Sequence, residues 1–375
     1  MSPFESYDDL LERVESLGRS VRRLGHTPDG SPLVAVECGG DKLPAVFISA
    51  GSHSTEQAGV TAAVELIGQL QTDHRVVVLP CRDPIGMGGY AHALQQGLGA
   101  EPGPIQSFDA VEEILRAEGE ILFEERDILL VLIGDYGYVL SRPTADGLCA
   151  QFRAYRRLQQ LEREESERVI PLRGRRIYMT PGQEGVEGTG DFGRAYTLVV
   201  SPAGEILHLN RFHDTAWAPV EARCVRSLLA EIRPGIGFDL HESQFMDDRY
   251  WLSARHQADP ENEAWEHRVA TATIGAVEAA GATLAVDEDV IGLSTVTGRT
   301  GATLADTWFR KTETGVYWLD ASIRGEGFNL ADFISCEYGL AFGTEMGMYG
   351  SFDHRVKLAL TTVRAAVAEF AKRYI

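Results

Sequence analysis

Basic residues are scarce in this sequence for its length. Its 375 residues include 35 lysines and arginines against 55 aspartates and glutamates, a formal net charge of −20 at pH 7. A protein that binds nucleic acid or an anionic membrane needs a surplus of lysine and arginine to neutralise phosphate groups. We therefore expect neither nucleic acid nor a membrane among the partners of this chain.

Cysteines and long apolar runs are also few. The five cysteines are an odd number without a Cys-x-x-Cys pair, so we do not expect a disulfide framework. The most apolar mid-chain stretch, Ile128 to Val139, is interrupted by Gly134 and Asp135 and is too short to cross a bilayer. Met1 to Glu5 lacks the basic and apolar regions of a signal peptide. The cytoplasm is the expected location.

The remaining composition, 44% hydrophobic and 24% charged, is typical of a soluble globular protein. Strand-like runs such as Val76 to Leu79 and Thr197 to Val200 alternate with segments of helical periodicity such as Val356 to Phe370. This alternation predicts an α/β fold, in which helices cover both faces of a sheet.

A histidine and a glutamate, His53 and Glu56, lie between a predicted strand and a predicted helix. The apolar run Ala45 to Gly51 comes before them, and a segment of helical spacing that includes Val60 and Val64 follows. Ligands of open α/β sheets bind at the carboxyl ends of strands. An imidazole and a carboxylate on one short turn can both reach one zinc ion.

His241 is the predicted third ligand, because it also ends a short apolar run, Gly237 to Glu242. Catalytic zinc is typically held by three protein ligands and keeps one position for water. His53, Glu56 and His241 would therefore form a site for one zinc ion per chain. Two nitrogens and one carboxylate also suit other divalent ions.

The order of several motifs resembles the zinc metallocarboxypeptidases of the carboxypeptidase A type. In that family an Asn-Arg pair precedes a Pro-Glu helix start, which leads to the second zinc histidine. The matching segments here are His208 to Phe212, Pro219 to Arg223, Asp239 to His241, Leu24 to Gly30, Asp83 to Gly86 and Leu340 to Glu345. The resemblance implies a three-layer fold whose twisted sheet is mixed and mostly parallel.

The resemblance also implies roles for single residues. Glu345 would be the catalytic carboxylate that accepts the proton of the attacking water, with Glu337 and Glu242 as competitors. It would place Asn210 and Arg211 on the carboxylate of the substrate.

Two further residues are weaker candidates. Arg194 would be the second catalytic arginine, which polarises the carbonyl, against the alternative of a solvated loop charge. Tyr317 would donate a hydrogen bond to the substrate, against the alternative of a buried aromatic side chain.

The interval between His53 and His241 is longer than the family pattern implies. We interpret the chain as one catalytic domain over residues 1–375, with an insertion at about 103–190. The insertion would pack on the rim of the active site or form a dimer contact, and its stretch from Pro181 to Gly193 is loop-like.

These observations predict a zinc-dependent hydrolase that cleaves an amide bond next to a free carboxylate. The substrate would be a small peptide or an acylated amino acid. One alternative is an N-acyl-amino-acid deacylase like the aspartoacylase and succinylglutamate desuccinylase group, which shares the zinc pattern. Another is a non-catalytic binding protein on the same scaffold, and a third is a metal-free α/β protein.

Overall fold

The computed structural model describes residues 1–143, 150–181, 192–243, 248–296, 301–320 and 326–375. Its strands are β1 (Ser20–His26), β2 (Pro32–Gly39), β3 (Lys42–Ala50), β4 (His74–Leu79), β5 (Glu120–Glu125), β6 (Ile128–Ile133), β7 (Tyr136–Ser141), β8 (Arg176–Met179), β9 (Tyr196–Val200), β10 (Ile206–His208), β11 (Ile236–Ser243), β12 (Tyr250–Ala254), β13 (Phe309–Glu313), β14 (Val316–Leu319) and β15 (Leu340–Gly347).

The α-helices are α1 (Tyr7–Ser16), α2 (Gln57–Gln69), α3 (Pro84–Met87), α4 (Tyr90–Leu98), α5 (Phe108–Glu118), α6 (Ala150–Glu164), α7 (Val220–Ile232), α8 (Pro260–Ala279), α9 (Asp287–Val296), α10 (Leu330–Glu337) and α11 (Phe352–Ala371). Short 3-10 helices cover Ser166–Arg168, Ile170–Leu172, Leu209–Arg211, Leu304–Asp306 and Lys372–Tyr374. No helix within the described ranges is both long enough and apolar enough to cross a membrane.

The larger sheet has nine strands in the order β1–β2–β4–β3–β11–β15–β12–β14–β13. The sheet is mixed: its central strands β4, β3, β11 and β15 are parallel, and antiparallel pairs occur toward both edges. Because side chains alternate along a strand, each face has its own core. Val46 and Phe238 pack with α2 and α11, whereas Phe47 and Val77 pack with α7 and α10. This confirms the predicted α/β fold with helices on both faces.

A second sheet of six strands has the order β10–β9–β8–β7–β6–β5. Leu158 of α6 belongs to the core on one face of this sheet, and Leu115 of α5 belongs to the core on the other. The predicted strand at 197–200 is present as β9, but it belongs to this second sheet, which runs through His208. Residues 182–191 of the predicted loop lie outside the described part.

Strand register brings the ends of β3, β11, β15 and β12 to one place. Asp239 of β11 pairs with Ser49 of β3, and His241 pairs with Glu345 of β15. Glu345 in turn pairs with Trp251 of the antiparallel strand β12. His241, Glu345 and Trp251 therefore occupy successive positions across three neighbouring strands, which are about 4.8 Å apart.

Candidate metal centre

The turn between β3 and α2 carries His53 and Glu56. It begins at Gly51, whose φ of 61° lies in the left-handed region that favours glycine. Gly59 lets α2 lie close to β11, because a Cβ there would be 2.9 Å from the Leu240 carbonyl oxygen. This close approach brings the start of α2, next to Glu56, alongside the strand that carries His241.

The three predicted ligands converge in the structure. Glu56 Oε1 lies 2.6 Å from His53 Nδ1, and Glu56 Oε2 lies 2.8 Å from His241 Nδ1. One ligand atom from each of the three buried residues lies within 4.8 Å of the others. Two imidazole nitrogens and a carboxylate oxygen at this spacing fit a divalent metal ion such as zinc.

The outer ring nitrogen of each histidine also has a partner, as is usual for histidines that bind a metal. His241 Nε2 lies 2.9 Å from Asp239 Oδ2 and 2.9 Å from Asn210 Nδ2. His53 Nε2 lies 2.8 Å from His208 Nδ1. These contacts leave the Nδ1 atoms of both rings on the side of Glu56.

The electrostatics of the cluster favour a cation. Burial alone would raise the pKa of Glu56, but His53 and His241 lower it to about 2. Burial opposes charge on His241 as well, yet the neighbouring Asp239 and Glu56 hold its pKa well above the usual value. Burial lowers the pKa of His53. A metal ion would take the place of the proton on His241, so its binding should release protons.

A buried network fixes the elements behind the ligands. Arg82, just after β4, donates to Asp239 Oδ1 at 2.6 Å and to Asn210 Oδ1 at 3.0 Å. Asn210 Oδ1 also accepts from the Leu330 backbone N–H at 3.0 Å, and its Nδ2 donates to Asp239 Oδ2 at 2.9 Å. The side chain of Asn210 thus positions Asp239 and His241. Sequence reasoning missed Arg82, and no local motif marks it.

Glu345 lies opposite His241 on the adjacent strand. It lines a cavity that the three candidate ligands also line. No hydrogen bond or ion pair of its carboxylate is found within the described ranges. Burial, with Glu56 and Asp239 nearby, raises its pKa to about 8, although His241 acts in the opposite direction. A carboxyl group with this pKa can take up and release a proton near neutral pH.

The two competitors for this role are placed differently. Glu242 also lines the cavity, but its carboxylate is buried in an ion pair with Arg355 and accepts a hydrogen bond from the Ala58 backbone N–H at 2.7 Å. Glu337 is exposed at the end of α10.

The cavity beside the three candidate ligands combines arginines with aromatic and aliphatic walls. Arg211 lines it, as do Arg156 of α6 and Arg255, whose Nε lies 2.7 Å from Asp332 Oδ1. The apolar walls come from both sheets and the helices packed on them: Phe152, Tyr155, Trp251, Leu293, Trp308, Phe309 and Leu319.

Arg194 is not among the residues that line this cavity. Its buried guanidinium donates to the backbone carbonyls of Phe4, Glu5 and Met87 and to Gln57 Oε1. These bonds tie the amino-terminal segment to the first turn of α2. The structure therefore does not bring Arg194 to the substrate side of the site, where a carbonyl-polarising arginine would have to lie.

Tyr317 also lies outside the cavity lining. Its ring is buried edge-on against Trp251, and its hydroxyl donates to Asp287 Oδ1 at 2.8 Å. Tyr317 thus supports Trp251 from behind, as the alternative of a buried aromatic side chain predicted.

The sequence matches no protein-family model and no curated protein. Two solved structures from Shewanella denitrificans OS217 share its fold. A protein assigned as a metallopeptidase is 14% identical, with a TM-score of 0.50 over 97% of this chain and 90% of that chain. A protein assigned as carboxypeptidase A is 12% identical, with a TM-score of 0.50 over 98% of this chain and 70% of that chain.

The chain has the metallocarboxypeptidase fold. Within this fold, His53, Glu56 and His241 are a candidate metal site at the carboxyl ends of central strands, where open α/β sheets bind ligands. The second sheet adds α6 to the wall of the same cavity. Within a shared fold, the residues of the site determine the chemistry.

Proposed function

We propose that this chain is a zinc-dependent hydrolase that cleaves an amide bond next to a free carboxylate. The observation that carries the proposal is the convergence of His53, Glu56 and His241 beside Glu345, which occupies the register position opposite His241. The substrate would be a small peptide or an acylated amino acid.

His53, Glu56 and His241 would hold the metal, and His208 and Asp239 would orient the two imidazoles. When bound there, zinc supplies Lewis acidity and lowers the pKa of water toward about 7. Glu345 would accept the proton of the attacking water and then transfer it to the leaving amine. Its buried environment suits this role, because burial raises the pKa of Glu345 to about 8.

Arg211 is our candidate for binding the substrate carboxylate. A guanidinium can hold a carboxylate with two parallel hydrogen bonds, and Arg211 lines the cavity next to Asn210. We assign Asn210 itself a positioning role, since its amide is engaged with Arg82 and Asp239.

An N-acyl-amino-acid deacylase is the second candidate, and the cavity wall contributed by α6 favours it. Phe152, Tyr155 and Arg156 of that helix line the cavity. A wall at this place would suit a small acylated amino acid better than a long peptide.

The test begins with metal content by elemental analysis. We expect one zinc per wild-type chain and none in the double variant His53→Ala/His241→Ala. Failure of chelator-stripped wild-type protein to take up zinc would overturn the proposal.

The second step is a hydrolysis screen with dipeptides that have a free carboxyl terminus and with N-acetyl amino acids. Glu345→Gln should keep the metal and lose activity by roughly 10²- to 10⁴-fold, because a general base is removed. Glu337→Gln, the same change at an exposed position, should leave activity unchanged. Full activity in Glu345→Gln would contradict the assigned mechanism.

A further inference from the structure

The carboxylate of Glu326 lies among three donors at the cavity wall. Arg211 Nε donates to it at 2.9 Å, Gln159 Nε2 donates at 3.2 Å, and Arg156 Nη1 lies 3.7 Å away. We call Arg156, Gln159 and Arg211 the carboxylate cradle. Glu326 shows that a carboxylate fits among these donors. Two of the three come from α6, which packs on the second sheet. Arg211 follows β10, the last strand of that sheet along the chain.

The charges of the cradle do not balance. Two guanidinium groups face one carboxylate, which leaves a surplus of one positive charge within a protein of net charge −20. Burial lowers the pKa of Arg156, and the like charge of Arg211 acts in the same direction despite the presence of Glu326. Two cations held this close are stabilised by a further anion between them.

Donors of the cradle remain available for such an anion. Arg156 Nε is buried without a hydrogen-bond partner in the described part of the chain. Arg211 makes two hydrogen bonds there, from Nε to Glu326 and from Nη1 to the Asn210 carbonyl oxygen at 2.9 Å. Its Nη2 has no further partner among the described residues. The Arg156 guanidinium is held 5.8 Å from the centre of the Trp308 ring, so its position is fixed from the opposite wall.

The cradle is adjacent to the candidate metal centre. Arg211 follows Asn210, whose side chain contacts His241, and Arg211 and His53 line the same cavity. Tyr155, next to Arg156 on α6, packs edge-on against His208, with ring centres 5.7 Å apart. A substrate carboxylate in the cradle would thus lie near an amide bond at the metal site.

We propose that Arg156 is a specificity-determining residue, which binds the substrate carboxylate together with Arg211 beside the carboxylate of Glu326. This inference rests on the proposed function, because it requires a substrate with a free carboxylate. It assigns to the second sheet a direct part in substrate recognition, and it makes the surplus positive charge the basis of selection for one anionic group.

The test compares binding of N-acetyl-L-phenylalanine with binding of its carboxamide by isothermal titration calorimetry. Every protein in this comparison, including the reference called wild type, carries Glu345→Gln, so that the probe is not hydrolysed during the titration. The two probes differ only in the charged group, and the aromatic ring suits the apolar cavity walls. We expect wild-type protein to prefer the acid and Arg156→Gln to lower the acid-to-amide affinity ratio by about tenfold, because a charge-assisted hydrogen bond is lost.

Arg156→Lys keeps the charge without the planar fork and should retain part of the preference. Arg157→Gln is the matched control, since this neighbour on α6 pairs with the exposed Glu125 and should leave the ratio unchanged. Glu326→Gln should raise the ratio, because it removes the competing anion. Thermal unfolding of each variant checks that it is folded.

An unchanged ratio in folded Arg156→Gln, or a wild-type protein without preference for the acid, would overturn the inference. These measurements need no turnover, so they are independent of the zinc and hydrolysis tests. If Arg156 controls the ratio but no Glu345-dependent hydrolysis is found, the cradle stands and the proposed activity fails.

Discussion

The outer nitrogens of the two histidines of the candidate metal site have chemically different partners. His241 faces the carboxylate of Asp239, whereas His53 faces the imidazole of His208. A proton on His53 Nε2, donated to His208 Nδ1, leaves the His53 Nδ1 lone pair directed toward Glu56 and a metal ion. His208 is therefore expected to fix both the tautomer and the ring orientation of His53.

His208→Ala should weaken zinc binding by roughly 10- to 100-fold, the usual cost of losing such a partner. Competition with a coloured chelator measures this directly. His256→Ala is the control, because the side chain of His256 is 64% exposed and pairs with Glu263. Equal zinc affinity in His208→Ala and wild type would show that His53 is oriented by other contacts.

Glu266 provides a test of pH dependence away from the metal ligands. Burial raises its pKa to about 8, although hydrogen bonds from Arg255 and Gln257 favour the charged form. The unfolded chain releases this proton near a pKa of 4.5. Between about pH 4.5 and 8 the folded state thus holds the extra proton, and its contribution to stability falls as pH rises.

Glu266→Gln should remove this contribution to the pH slope. The free energy of unfolding of the variant minus that of wild type should rise by at least about 1 kcal/mol from pH 5 to pH 8.5, since one pKa unit corresponds to about 1.4 kcal/mol. Urea unfolding at both pH values measures it. Glu278→Gln, on the exposed side of the same helix, should show the wild-type slope. If the stability of Glu266→Gln changed with pH just as that of wild type does, Glu266 would be ionised in the folded state.

At the scale of elements, α6 joins the second sheet to the cavity. Leu158 and Leu161 are fully buried in the core of that sheet, and Phe152, Tyr155 and Arg156 line the cavity. The same helix therefore couples the packing of the second sheet to the position of the cavity wall.

Leu158→Ala should lower stability by about 2–5 kcal/mol, the typical cost of deleting a buried leucine side chain. It should also raise KM, because α6 loses its anchor and the cavity wall shifts. Leu360→Ala in α11 is the comparison, since it removes the same side chain from the core of the main sheet. If both variants lost similar stability and kept the KM of wild type, the packing of α6 would have no effect on substrate binding.

Local sequence patterns predicted the elements that carry the metal site. The apolar run before His53, the helical spacing after Glu56 and the strand before His241 appear as β3, α2 and β11. Sheet membership is a non-local property, so the run at 197–200 predicts a strand but not its place in the second sheet. The position of Arg194 is not predictable from local sequence for the same reason, because its partners Phe4 and Glu5 are distant in sequence.

At the scale of the whole molecule, the site lies where two sheets meet. The main sheet contributes the three candidate metal ligands and Glu345, and the segment of the second sheet contributes His208 and α6. The candidate ligands also join separate parts of the chain, since His53 and Glu56 lie more than 180 residues before His241. A metal ion bound there would hold these parts together only in the folded state.

Zinc should therefore raise the stability of the entire fold. A ligand that binds only the folded state adds about 2.7 kcal/mol at a free concentration of 100 times its Kd. Chelator-stripped protein should unfold several degrees below the zinc-loaded protein, and Tm should rise with zinc concentration. Scanning calorimetry over a zinc titration measures the effect.

The double variant His53→Ala/His241→Ala separates this linkage from weak binding elsewhere. With both imidazoles removed, Tm should no longer depend on zinc, whereas His256→Ala should respond as wild type does. Removing the two rings also leaves the buried carboxylate of Glu56 without its charged partners, so its ionisation becomes costly. A zinc-dependent rise of Tm that survives in the double variant would place the stabilising ion at a different site, and the assignment of His53, Glu56 and His241 as ligands would then be wrong.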